Sequence, residues 1–222
     1  MIKRIQVLVI LALISFTVSA QDSDFGIWTE INAGRKITNR LKGDLSVSVR
    51  TFNNTSQVEQ LFGEAGLTYK FSDFLSVSSS YRLTSALEDD SQYHFTHKFF
   101  FDLKGSVPIG RLDLSARARM QIANRTYLES PDENPLRYYT RVKFKALYDI
   151  PSFRVNPYAY YEPFIPLGRG DGFEISKYRI STGAEIKISP KSTLEAGYLF
   201  EHDTRPDIIN SNIITLGWNL KF

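Results

Sequence analysis

The chain has 222 residues, with 27 Lys and Arg against 24 Asp and Glu, a formal net charge of +3, and no Cys. Disulfides and thiolate metal sites are excluded, and so balanced a charge argues against a nucleic-acid partner. Mean hydropathy is -0.23, which excludes a bundle of membrane-spanning helices.

In chain order, Lys3 and Arg4 open a short basic region, residues 5–18 are almost continuously apolar, and Val18-Ser19-Ala20 supplies small residues before Gln21. That is the pattern of a secretory signal peptide cleaved after Ala20. The apolar run is shorter than the roughly 20 residues a spanning helix needs. The expected division is therefore residues 1–20 as leader and 21–222 as one mature domain. No Cys follows the cleavage site, so no lipid is attached there.

From residue 25 onward, alternating strand-like stretches are separated by turn chemistry. Residues 25–37 end at Thr38-Asn39-Arg40, and 42–52 end at the polar loop 53–57. Residues 61–71 turn at Ser72-Asp73, and 74–85 lead to the acidic loop 88–91. Leu75, Val77, Tyr81 and Leu83 lie on one face of that fourth segment, opposite Ser76, Ser78, Ser80 and Arg82. Residues 93–107 turn at Pro108-Ile109-Gly110, 111–127 run to the loop 129–135, and 136–150 turn at Pro151-Ser152. Residues 153–165 rise to the Pro/Gly loop 166–172, and 173–188 turn at Ser189-Pro190-Lys191 into 193–202. The loop 203–212 delivers the last segment, 213–222, in which Ile214, Leu216, Trp218, Leu220 and Phe222 alternate with small or polar residues.

Short turns thus alternate with longer polar loops, and the final strand ends on an aromatic. Together these specify an all-β fold: an antiparallel up-and-down transmembrane β-barrel of about 10–12 strands in a Gram-negative outer membrane. Aromatics form 14% of the chain, with 12 Tyr and 16 Phe, enough for girdles at both membrane interfaces. Ile214, Leu216, Trp218, Leu220 and Phe222 form the signal that barrel-assembly machinery reads, and outer-membrane lipid is the other expected partner. About eleven segments can be counted, whereas bacterial single-chain barrels have an even number. Either the first segment stands outside the wall, leaving ten, or one strand is hidden, giving twelve.

Four stretches carry a resemblance: Arg117-Ala118-Arg119-Met120-Gln121, Glu162-Pro163-Phe164, the run from Tyr178-Arg179 to Gly183, and the Phe222 end. On these the chain resembles the domain-of-unknown-function 2490 family, small outer-membrane barrels of Bacteroidota. The resemblance implies an outer-membrane barrel. It supplies no activity and no functional residue.

The residues themselves say more about the lumen. Phase points Arg117, Arg119, Gln121 and Arg125 inward on one strand and Arg137, Arg141, Lys143 and Lys145 inward on its hairpin partner. Like charges facing each other on adjacent strands are destabilising, so the stripe demands counter-charge. Asp102, Glu162, Glu185, Glu195, Glu201 and Asp203 share the inward phase, and the Ser189-Pro190-Lys191 turn would set Lys187 beside Glu195 and Arg179 beside Asp203. Complete neutralisation gives a structural barrel with a cross-linked lumen. Incomplete neutralisation gives a narrow channel that draws small anions.

Two other classes stay open: a membrane-embedded hydrolase acting on lipid and a soluble periplasmic barrel that binds a lipophile. His97 shares a face with Phe95, Phe99 and Phe101, where a Ser-His pair could attack lipid, and His202 precedes Asp203. Neither His94, His97 nor His202 stands in a catalytic or metal-binding spacing, so no catalytic residue, metal or cofactor is assigned. Gly168-Arg169-Gly170-Asp171-Gly172 lacks the setting of a phosphate loop and reads, like the loops at Glu88 and Asp207, as a surface loop.

Overall fold

The computed structural model describes residues 23–88, 90–125, 136–166, 174–204 and 210–222. The leader expected over residues 1–20, the loop segments 129–135 and 168–172, Asp89 and Asp207 lie outside the described residues.

Period-two alternation becomes eleven strands: β1(Ser23–Lys36), β2(Leu41–Phe52), β3(Gln57–Lys70), β4(Leu75–Leu87), β5(Tyr93–Ile109), β6(Leu112–Arg125), β7(Arg137–Tyr148), β8(Val155–Pro166), β9(Lys177–Ser189), β10(Ser192–Asp203) and β11(Asn210–Lys221). Each pairs with its sequence neighbours, and β1 meets β11 to close a barrel. Neither expectation on the count holds: the first segment is a full wall strand over residues 25–36, with Ile37 in the turn, and no twelfth strand is present among the described residues. Eleven strands that alternate in direction leave the first and last pointing the same way. β1 and β11 therefore pair in parallel, from Ser23 opposite Asn210 to Gly34 opposite Lys221. The other pairs are antiparallel, so the expectation of a wholly antiparallel wall fails at this one seam.

Turn chemistry explains where the strand bounds differ from expectation. Asn53, Asn54 and Thr55 take positive φ of 52°, 54° and 66°, a conformation Asn tolerates. The chain reverses within residues 53–56, so β3 begins at Gln57 instead of residue 61. Gly110, at φ 61°, makes a two-residue turn between β5 and β6. The β9–β10 turn also holds just two residues, Pro190 and Lys191, and a register shift at Ser192/Thr193 follows. The expected Lys187–Glu195 and Arg179–Asp203 pairs are consequently displaced by two residues each. Lys187 faces Thr193, Arg179 faces Glu201, and Lys177 faces Asp203.

The two faces of the wall differ in chemistry. Leu45, Val47, Leu67, Phe99, Phe101, Phe144, Ile180 and Leu216 are exposed on the outside. Phe62, Phe100, Leu199 and Ile213 point inward and are almost fully buried, together with Arg119, Arg141, Glu162 and Arg179. Along the outward positions no Asp, Glu, Lys or Arg occurs on β2 or on β4 through β11. Arg35, near the short-turn end of β1, and Glu59, at the β2–β3 register shift, are the exceptions.

Candidate functional site

An eleven-stranded barrel is wider than the eight-stranded kind that ordinary side chains fill. Its interior is crossed instead by arginines and aromatic rings, near the end that bears the longer loops. Arg50 lies 3.9 Å from the Trp28 ring centre and 5.0 Å from that of Phe62. Arg82 lies between Phe62, at 3.8 Å, and Phe100, at 5.0 Å. Arg141 bridges Phe100, at 5.7 Å, and Phe164, at 5.1 Å. Arg179 closes the circuit between Phe164, at 4.7 Å, and Trp28, at 4.8 Å. Four guanidiniums and four rings thus alternate around the lumen, each cation attracted to the negative faces of its two neighbours. Leu199 and Ile213, 1% and 2% exposed, occupy the inward face of β10 and β11 between Arg179 and Trp28 in strand order.

Carboxylates hold part of this belt. Asp102 accepts two hydrogen bonds from Arg119, both 2.6 Å. Glu64 takes Arg82 Nε at 2.7 Å and the Ser80 hydroxyl at 2.9 Å. Glu162, 3% exposed, lies 2.6 Å from Arg117 Nη2 and 3.8 Å from Arg179 Nη1. Glu201 joins Arg179, at 2.5 Å, to Lys177, at 3.2 Å.

The residues of the basic stripe therefore separate. Arg117 and Arg119 are paired with Glu162 and Asp102, Lys145 with Glu185 at 2.6 Å, and Arg125 approaches Glu88 at 3.7 Å. Lys143 stands 3.5 Å over the Tyr160 ring, and Arg137 is exposed at the strand end. Arg141 directly faces Arg119 across the β6–β7 pair. No carboxylate lies within ion-pair distance of Arg141, and its buried Nε has no hydrogen-bond partner among the described residues. Of the expected acids, Asp102, Glu162, Glu185 and Glu201 hold cations. Asp203 is buried opposite Lys177, and Glu195 has no cation within ion-pair distance among the described residues.

Sequence phase set Arg82 opposite the apolar face of its segment, but it did not single out Trp28, Arg50, Phe62, Phe100 and Phe164 or join any of these into a belt. Phe62 carried a usable signal, since a large ring falls between Gln60 and Glu64 at an inward position. Phe100 carried none, because Phe99 and Phe101 flank it and mask the alternation.

Below the belt, toward the short turns, a cavity of about 190 Å³ is lined by Trp28, Glu30, Ser48, Arg50, Glu195 and Thr215, among others. Two larger depressions lie on the wall and are lined mainly by outward apolar residues, such as Leu67, Phe101 and Met120 in one and Phe144, Ile180 and Tyr198 in the other.

The histidines lie elsewhere. His97 Nδ1 is 2.7 Å from Tyr81 Oη on the outer face, His202 Nδ1 is 2.6 Å from Asn210 Oδ1, and His94 Nε2 is 2.6 Å from Asp90. The His94 contact holds the Asp90 carboxyl below its ordinary value. At the opposite end, Lys187, 2.9 Å away, does the same for Asp149. No group of three His, Cys, Asp or Glu is arranged to hold a metal among the described residues.

Ile214, Leu216, Trp218 and Leu220 all face outward on β11. Trp218 Nε1 donates to Ser192 Oγ at 2.9 Å. The Phe222 N–H donates to Gly34 O at 2.9 Å, fastening the last residue to β1.

No curated protein sequence matches the chain. Among solved structures, one described as "NanC porin structure in rhombohedral crystal form" has a TM-score of 0.51 at 11% identity, covering 87% of this chain and 99% of that one. The beta domain of the Bordetella autotransporter Brka has a TM-score of 0.49 at 12% identity, with 82% of each chain covered. At 11% identity the likeness to the porin concerns the fold alone. A model of the family described as "Protein of unknown function (DUF2490)" matches residues 25–212, and the chain belongs to that family.

Proposed function

We propose that this barrel spans the outer membrane of a Gram-negative bacterium, in Bacteroidota by the resemblance noted above, as a narrow passage that favours small anions. The observation that carries the reading is the outer wall. Around the closed sheet every strand presents an apolar face, and charged side chains are confined to the lumen and the rims. Each strand has at least 12 residues, enough for the roughly 9–11 that cross a bilayer when tilted. Closure leaves no unpaired strand edge in hydrocarbon. The apolar depressions on the outer face are then surfaces that acyl chains fill.

The lumen supports the remainder. The Arg-aromatic belt sets side chains across the lumen, which argues against bulk flow. Arg50, Lys98, Lys104 and Arg141 have no carboxylate within ion-pair distance among the described residues. Lys98 also feels the charges of Arg82, Arg50 and Arg141. Positive charge that is not neutralised within low-dielectric walls attracts anions.

Outer-membrane fractionation with heat-modifiable gel migration tests the location, and planar-bilayer recording of purified protein tests the passage. Small-conductance, anion-selective currents are expected. Recovery from the periplasmic soluble fraction would end the membrane reading. Cation selectivity, or a conductance of wide-pore size, would end the anion reading.

A further inference from the structure

Directly beneath the belt, opposite charges face one another without pairing. Glu30 and Glu195 point inward on β1 and β10 and flank Gly217 of β11, which is in register with both. Neither carboxylate has a cation within ion-pair distance among the described residues. Gly217 puts no side chain between them, and the Tyr158 hydroxyl approaches Glu195 and Thr215 from the β8 side. Arg50 acts electrostatically on Glu30, yet no ion pair forms. The register explains why: Glu30 faces Ser48, while Arg50 faces Trp28 and stacks on its ring at 3.9 Å. Arg50 Nε and Thr215 Oγ1 are buried and lack hydrogen-bond partners among the described residues. The space bounded by these groups is the 190 Å³ cavity, about six water volumes at roughly 30 Å³ each. Glu30 is exposed although it faces the lumen, so the cavity opens to solvent.

Groups left unpaired in this way define their complement. An ammonium seated between Glu30 and Glu195 would satisfy both carboxylates, and a carboxylate attached to it would reach Arg50, making the strong charge-assisted class of hydrogen bond. Ser48 and Thr215 offer hydroxyls to either end, and Trp28 lines one side. The volume admits a molecule the size of a simple amino acid and excludes an oligosaccharide. We propose that this cavity binds a small zwitterion of the α-amino acid class, with its ammonium at Glu30 and Glu195 and its carboxylate at Arg50.

The inference rests on the chain forming the solvent-accessible barrel proposed above, and the test separates the two. Trp28 and Trp218 are the chain's two tryptophans, so Trp218→Phe leaves Trp28 as the reporter in the cavity. The full mature barrel, folded in detergent and checked by heat-modifiable migration, is titrated with glycine at constant ionic strength while Trp28 fluorescence and titration heat are recorded. Acetate and methylammonium, the two halves of the ligand, are titrated separately. A saturable response to glycine is expected, at least tenfold tighter than to either half and weakened at least tenfold by Glu30→Gln and by Glu195→Gln. A chain that does not migrate as a folded barrel sinks both readings. A folded barrel silent to glycine sinks this one alone. So does a response that acetate or methylammonium reproduces, or one that both substitutions leave unchanged.

Discussion

Glu162 is the side chain on which the upper lumen most depends. It is nearly fully buried, touches Arg117 and Arg179, and faces the fields of Arg141 and Lys143. Removing one member of a buried ionic cluster leaves the others desolvated and uncompensated, at a cost of about 3–5 kcal/mol. Glu162→Ala is therefore expected to lower the stability of the detergent-folded barrel by about that amount, read as an earlier urea midpoint. Exposed Glu174→Ala should have little effect by the same measurement. The inward direction of Glu162 could be read from sequence, because strand alternation fixes facing with one bit of information per residue. Its partners could not. Lumen contacts cross the barrel between strands far apart in sequence, and Arg117 reaches Glu162 across 45 positions. Facing predicts which side chains enter the lumen, while the strand stagger that sets who meets whom has no local signature.

At the scale of elements, the β8–β9–β10 region shows why a small shift in register matters. Gly183 and Gly197 face each other across the β9–β10 pair, and the Tyr158 hydroxyl of β8 lies over both. A Cβ at Gly197 would come within 2.5 Å of Tyr158 Oη and 2.9 Å of the Thr182 carbonyl. Gly197→Ala should thus cost about 1–3 kcal/mol through overpacking, measured by urea unfolding. Combining it with Tyr158→Phe, which removes the nearest of the obstructions, should cost less than the sum of the single changes. Strand existence was legible throughout, because each stretch combines alternation with bounding turn residues. The hairpin register was less so. A turn of Ser189-Pro190-Lys191 reads naturally as three residues, but Ser189 remains in β9 and each cross-strand partner moves by two residues.

For the whole molecule, the decisive feature is an odd number of strands. An even number would return the chain to the side from which it started. Here β1 begins at the rim with the longer loops, whereas β11 finishes at the rim with the short turns, hydrogen-bonded to Gly34. With the barrel in an outer membrane, an epitope placed immediately ahead of Ser23 should be labelled by antibody on intact cells. One placed after Phe222 should be labelled only once the envelope is permeabilised. The opposite pattern, or the same labelling of both ends on intact cells, would refute the eleven-stranded wall. The parallel seam also gives the cylinder a single polar mark. Ten joints are hairpin-linked and antiparallel, while the β1–β11 joint is a parallel ladder with no hairpin between strands remote in sequence. Lacking a hairpin link, such a joint is expected to be the last to zip as the barrel closes and the first to part under load, giving an otherwise uniform hoop one place at which it can be sprung.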